Sequence, residues 1–576
     1  MNLTSLSRRA LATAAVACAL VGAGGVGITP APAAAAAVPA PQTLALAFAQ
    51  PGTGVEYHGL LYFSGGTSTT GSELWATDGT PAGTRVVKEL APGGSSSQPD
   101  HLIVYKDRLF FTAYTPDTGI EWFSTDGTGA GTQLLRDGVS GGDGSNPGPA
   151  VVAAGLLWFA ARDSQHGREL WTSDGTTAGT HETIEIRTGD SSSSPEELTS
   201  LGDRVVFAAT GNSGVSKPWV AAVSAPVRRL DTFDAAIDLS PEEFTRLGDH
   251  VVFAAGTPSS DGEELWVTSG EQGDAREIKD IYPGPVSSAP RELTVLGNRV
   301  WFAATRPGEG AELWSSDGTT DGTTLAKNIF PGAAGSAPSN LRVAGDRLLF
   351  NADDGVHGTE LWSSPDATNA DFHLVLDSLA GAGAGTLPGP DLLATGLAGA
   401  SVYTGVSSSG KEPWVTDGTA AGTQQVADLT PGPGDSTPFA IGVLGNTVVF
   451  VARVGSEFTL YSWTPGRVAA AGTSTTSAHA KRHYSPGQAR RKHIRVPVTV
   501  SSGQGAALGG GTVTLVLHGK VVGSAPLVNG QVKVRISKRL RPGHTYRVTA
   551  VWSGTTEVAG SSSAEFRVRI ARSRRR

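Results

Sequence analysis

Apolar residues in this chain fall in short runs that alternate with polar ones, and the runs recur. In one copy, Glu292 to Leu296, Arg299 to Ala303, Glu312 to Ser316 and Thr324 to Ile329 each read as a period-two strand. Gly297-Asn298 joins the first two as a tight hairpin, and Asp317-Gly318 opens a longer turn between the last two. The pattern predicts a unit of four short antiparallel strands.

Three markers share the period. The motif aromatic falls at Trp75, Phe123, Trp171, Trp219, Trp266, Trp314, Trp362, Trp414 and Tyr461, at spacings of 48, 48, 48, 47, 48, 48, 52 and 47 residues. An apolar triplet ending in Phe63, Phe111, Phe159, Phe207, Phe253, Phe302, Phe350, Tyr403 or Phe450 precedes each. A Gly/Ser-rich linker ending in proline follows the first eight, from Pro99 to Pro438. One unit of this size cannot bury its own faces, so neighbours must stack, with the aromatics filling the gaps. Asp-Gly-Thr-x-x-Gly-Thr is intact at Asp78, Asp126, Asp174, Asp317 and Asp417 and eroded elsewhere. These aspartates are expected to hold turns through side-chain bonds to backbone. The expected fold is all-β: a β-propeller of eight or nine four-stranded units, then a small Ig-like β-sandwich. A β-solenoid ranks second, and the Gly and Pro load (76 and 34 residues) excludes helical solenoids.

The quoted residues resemble a known repeat. Glu73 to Thr80, Glu169 to Thr176, Glu312 to Thr319 and Asp353 to Trp362 are similar to the bacterial ELWxxDGT repeat, grouped with hyalin-type repeats, over Val55 to Gly466. The resemblance implies an extracellular, propeller-like or otherwise repetitive β structure and carries no settled activity. Farther on, Gly511 to Leu515, Gly523 to Gly530 and His544 to Val548 resemble bacterial Ig-like repeat domains of surface proteins, which implies a spacer or adhesion module. Strands are expected there at His493 to Val500, Gly511 to Leu517, Gln531 to Ile536, His544 to Trp552 and Ala564 to Ile570. The segments are then 1–37 (secretion signal), 38–54 (linker), 55–467 (repeat propeller), 468–492 (basic linker), 493–570 (sandwich) and 571–576 (Arg-rich tail).

The N-terminus supplies the destination. Arg8-Arg9, the apolar run Ala10 to Ile28 and the alanines near Ala37 form the three regions of a Sec or Tat export signal. Cys18, the single cysteine, lies inside it, so the mature chain is expected to carry no thiol. No later stretch is long and apolar enough to span a membrane. Charge is divided unevenly. From Lys481 onward there are 19 Lys+Arg against 2 Asp+Glu, a net of +17. Without these and Arg8 and Arg9, 24 basic and 51 acidic residues remain, a net of −27. Such a split suits anionic surfaces or polymers.

Candidate chemistry is sparse. Gly138-Val139-Ser140-Gly141-Gly142 fits a nucleophile elbow in spelling but sits in an inter-unit linker. His479 and His483 lack the glutamate of a zinc motif. His166 and His357 share a loop position five residues before the motif aromatic. Asp353, Asp354 and the turn aspartates are candidates for Ca²⁺, the one cofactor considered. No residue stands out as catalytic, cofactor-binding or metal-ligating. The expectation is a secreted, monomeric, non-enzymatic binding or scaffold protein. Its partner would be an extracellular glycan, cell-wall polymer or protein rather than nucleic acid. The alternatives are a propeller hydrolase or lyase acting on polysaccharide through a carboxylate pair, and a calcium-stabilised adhesin.

Overall fold

The computed structural model describes residues 39–49, 51–257, 262–364, 372–381, 383–386, 394–397, 399–465, 474–478, 484–485, 494–502, 512–517, 520–527, 531–536, 540–554, 559–562 and 566–571. Residues 1–38 (the expected export signal among them), most of the expected basic linker and residues 572–576 of the tail lie outside them. Among the described residues every regular element is a strand, and no helix is long and apolar enough to cross a membrane.

Nine units of four antiparallel strands follow one another. In unit six the strands are Arg291–Leu296, Arg299–Arg306, Gly310–Ser316 and Thr324–Lys327, within a few residues of the sequence pattern. The two aromatic markers are direct cross-strand partners: Phe302 opposes Trp314, Phe63 opposes Trp75, and Phe450 opposes Tyr461. Paired aromatics on one face of a pleated sheet are a favourable arrangement. Their face packs on the preceding unit. Phe302 and Trp314 join Val252, Leu265, Val267 and Ile278 of unit five in one buried cluster. The other units repeat the arrangement, so the core is a series of apolar layers between neighbouring sheets.

The ends of the array depart from expectation. Residues 42–49, in the expected linker, form the strand Gln42–Ala49. It pairs with Glu457–Trp463 as the fourth strand of unit nine, and Phe48 and Ala49 also pair with Leu60–Thr67 of unit one. Leu44 and Phe48 share a cluster with Leu61, Phe63 and Trp75 of unit one and Ile441, Val449 and Leu460 of unit nine. First and last units therefore meet on the same apolar layer.

Among the described residues a corner precedes units two to seven and unit nine. Gln98, Asn146, Ser194, Ser240, Ala289, Ala337 and Thr437, each just before a proline, have φ between 38° and 48°. The left-handed region costs a non-glycine residue about 1–2 kcal/mol, so the surroundings must impose it. Ser72 O accepts from the amides of both Ser97 and Gln98, which pins the corner in unit one.

The C-terminal region is a two-sheet sandwich. Ser474–Ala478, Arg495–Ser502 and Gln531–Arg535 form one sheet. Lys520–Pro526, Thr512–Leu517, Thr545–Gly554 and Ala559–Ser562 form the other, with Phe566–Arg569 also paired to Thr545–Gly554. Val496, Val498 and Val500 point inward against Val513, Leu515, Val534 and Val548. The strands at 474–478, 520–526 and 559–562 go beyond those the sequence pattern predicts. The first lies inside the expected basic linker.

Candidate functional site

The acidic residue of the repeat motif does its work inside the fold. Glu312 is fully buried. Its carboxylate accepts from the amides of Ile329 at 2.9 Å, Phe330 at 3.0 Å and Ser336 at 3.1 Å, and from the Ser336 hydroxyl at 2.6 Å. These donors belong to the linker that leads into unit seven. Glu264 makes the same four contacts, with Ile281, Tyr282 and Ser288. Glu73, Glu121, Glu169 and Glu412 each bind the serine of their own linker, 24 residues on. Each glutamate is a latch that fixes a linker and the corner after it. Burial raises the pKa of Glu312 and Glu264, and the serine and amide bonds pull it back.

The turn aspartates are equally local. Asp317 Oδ1 accepts from the Thr319 amide at 3.0 Å and the Thr319 hydroxyl at 2.7 Å. Asp78, Asp126, Asp174 and Asp417 bind Thr80, Thr128, Thr176 and Thr419 in the same way. The threonine bonds hold the pKa of Asp78, Asp126, Asp174 and Asp317 below the ordinary carboxylate value. Of the nine motif aromatics, Trp75, Phe123, Trp171, Trp266, Trp314, Trp362, Trp414 and Tyr461 are buried, while Trp219 is half-buried. Ser140 lies in a turn of the linker between units two and three, with no helix after it. His479 and His483 lie outside the described residues. Asp353 Oδ1 and Asp354 Oδ1 accept amide bonds from their own turn, at Gly355 and Val356.

Two loops are less self-contained. Asp163 Oδ1 accepts from the amides of Gln165 and His166, both at 2.7 Å. Its Oδ2 faces His166 Nδ1 at 3.2 Å, and Glu182 Oε2 reaches the same nitrogen at 3.0 Å. In unit seven Asp354 Oδ2 stands 2.7 Å from His357 Nδ1. The nearby carboxylates raise the pKa of both histidines, Asp163 and Asp354 contributing most through their hydrogen bonds. Glu182 could not be singled out from sequence, because only strand register brings it to a loop 16 residues earlier.

Unit four breaks the latch. Lys217 stands where the glutamate should be and is buried. Its ammonium is 3.4 Å from Asp231 Oδ1 and donates to Asp234 O at 3.2 Å. The linker there takes another course and borders a pocket of about 240 Å³ lined by Phe233, Trp266, Arg276 and Glu277 among others.

The sandwich carries its charge outward. Arg495 and Arg535 are direct cross-strand partners, as are Arg547 and Arg567, and all four are exposed. Residues 471–571 match the family model of the bacterial Ig-like domain, group 3. The Ig-like domain thus begins ahead of Ser474–Ala478, the strand that the composition had hidden. No curated protein matches the chain. Oligopeptidase B from Trypanosoma brucei, in a closed form with antipain bound covalently, is 11% identical over 71% of this chain and 54% of its own length, with a TM-score of 0.36. A puromycin-hydrolyzing peptidase from Mycobacterium tuberculosis is 11% identical over 64% of this chain and 61% of its own, with a TM-score of 0.34. The β-propeller domain of the Trilobed protease from Pyrococcus furiosus is 10% identical over 57% of this chain and 97% of its own, with a TM-score of 0.30. The chain spans little more than half the length of the first of these.

Proposed function

We propose that this chain is a secreted, non-enzymatic scaffold in which nine ELWxxDGT-type blades close into a propeller and the Ig-like domain tethers it to an anionic extracellular polymer. Ring closure is supported by Gln42–Ala49, which pairs with the last unit and the first. Export rests on the N-terminal signal pattern.

The tether rests on one observation. Arginine faces arginine across the sheet at Arg495–Arg535 and at Arg547–Arg567, with Lys533 and Arg569 exposed beside them. A polyanion laid across these faces meets a cluster of exposed cations and releases its own counterions. The scaffold reading follows from where the motif chemistry goes: glutamates to linkers, aspartates to turns, aromatics to the layers between units.

The test is co-sedimentation of the full mature chain with cell walls that carry phosphate- or carboxylate-bearing polymer, against walls stripped of it. Binding should fall as salt rises and be lost in the double variant Arg547→Glu, Arg567→Glu. Equal binding by that variant removes the tether, and cleavage of the polymer moves the chain to the hydrolase alternative.

A further inference from the structure

We propose that Asp163, His166 and Glu182 bind a divalent cation of the zinc, cobalt or manganese class. Asp163 Oδ2, His166 Nδ1 and Glu182 Oε2 lie within 4.8 Å of one another. The nitrogen is 3.2 Å from one carboxylate oxygen and 3.0 Å from the other. In a tetrahedral site with metal–ligand bonds of about 2.0 Å, neighbouring donor atoms stand about 3.3 Å apart. The two nitrogen–oxygen distances match such a shell, and the two carboxylate oxygens lie within 4.8 Å of each other. One imidazole nitrogen with two carboxylate oxygens suits the borderline cations. Calcium instead takes six to eight oxygen ligands.

Each donor is set by the backbone. The amides of Gln165 and His166 hold Asp163 by Oδ1, which leaves Oδ2 toward the site. Glu182 is placed by its register opposite Trp171 in the fourth strand of unit three. The side chains are 24%, 32% and 16% exposed for Asp163, His166 and Glu182, so solvent can fill the remaining coordination position.

The repeats supply an internal control. At the position opposite the motif aromatic, units one, two, six and seven carry Val86, Leu134, Leu325 and Leu374, while units four, five and eight carry Arg229, Glu277 and Gln425. The fold thus has no structural need for a carboxylate there. Unit seven repeats the Asp-x-x-His loop with Asp354 and His357 but meets it with Leu374, and so offers two donors instead of three. Charge argues the same way. Nδ1 of His166 has at most one hydrogen, which cannot serve both carboxylates fully. A dication satisfies both and neutralises their two charges, with the imidazole neutral.

The experiment is titration of the full mature chain with Co²⁺, read as visible d–d absorption and as bound equivalents, with Zn²⁺ and Ca²⁺ as competitors. One equivalent is expected, displaced by Zn²⁺ and not by Ca²⁺. Glu182→Gln, close in size to the native residue, should weaken binding at least tenfold, and His166→Ala should abolish it. His357→Ala should leave it unchanged. Absence of saturable binding overturns the proposal. So does an unchanged isotherm in Glu182→Gln with the native thermal melt, or loss of binding in His357→Ala.

Discussion

Units six and seven share an architecture but differ at the latch. Glu312 has four donors, and Ser336 supplies two of them. At the matching position after Glu360 stands Gly385, whose amide donates to Thr359 O and whose carbonyl accepts from Val406 N, as the serine's do in other units, but which has no hydroxyl to offer. Ser378 donates to Glu360 Oε2 from 3.3 Å, and Oε1 has no hydrogen-bond partner among the described residues. Both carboxylates are buried to the same degree, so burial alone does not separate them. Desolvation raises the pKa of both, and with fewer donors opposing it that of Glu360 climbs to about 7. A repeated residue type thus meets fewer or more donors according to what the following linker offers. Unit four goes further and replaces the acid with Lys217, whose partner Asp231 comes from its own linker.

The largest test of this contrast restores the consensus where it has been abandoned. Lys217→Glu gives unit four the residue that six other units use as a latch. It also puts a carboxylate beside buried Asp231, with no serine at the matching linker position, where Leu239 stands. Breaking a buried ion pair costs about 3–5 kcal/mol, and a like charge belongs at the top of that range. The variant should unfold at clearly lower denaturant than the native chain. A Lys217→Glu chain as stable as the native one would mean that the linker can re-form the latch without its serine.

Much of this architecture was legible in sequence because its signals are local. Period, hairpin turns and aromatic markers each lie within one unit, while the register that sets Phe302 opposite Trp314 came only with the structure. The latch was not legible. Glu312 and Ser336 lie 24 residues apart, and a glutamate next to an exposed turn looks solvated until a linker is folded over it. Gln42–Ala49 was missed because its partner strand lies some 400 residues away and no motif follows it. Ser474–Ala478 was missed because serine and threonine read as linker composition. His166 and Asp163 were visible as a loop pair, while Glu182 needed the register of the next hairpin.

A gentler change probes the degraded latch of unit seven. Glu360 has a folded pKa near 7 against an ordinary value of 4.5. The folded state therefore keeps a proton that the unfolded state gives up between those values. Stability from this group is full below about pH 4.5 and is lost as pH rises to about 7. Glu360→Gln cannot ionise. It should flatten the fall in stability across that window and leave the variant more stable than the native chain at pH 8. Every tenfold difference in proton affinity between the folded and unfolded chain is worth about 1.4 kcal/mol, so denaturant melts at pH 5 and pH 8 resolve it. A variant that is less stable at both pH values would show that the carboxylate is ionised and well bonded.

The smallest effect belongs to the turns, and its sign with pH is the reverse. Asp317 has a pKa held below the ordinary 3.8 by its bonds to Thr319. Its contribution is present above that value and fades as pH falls through the folded pKa. Asp317 is exposed, and the third and fourth strands still pair in units five and seven, which lack the full motif. Asp317→Ala should therefore cost about 1 kcal/mol, the typical worth of a single side-chain bond that organises a backbone turn. The loss should be the same at pH 5 and pH 8, because the native aspartate is fully ionised at both. A loss several times larger at neutral pH would mean that the aspartate does more than shape its hairpin. It would point to a ligand or neighbouring unit drawing on the second oxygen, and calcium titration of the native chain would then separate those two sources.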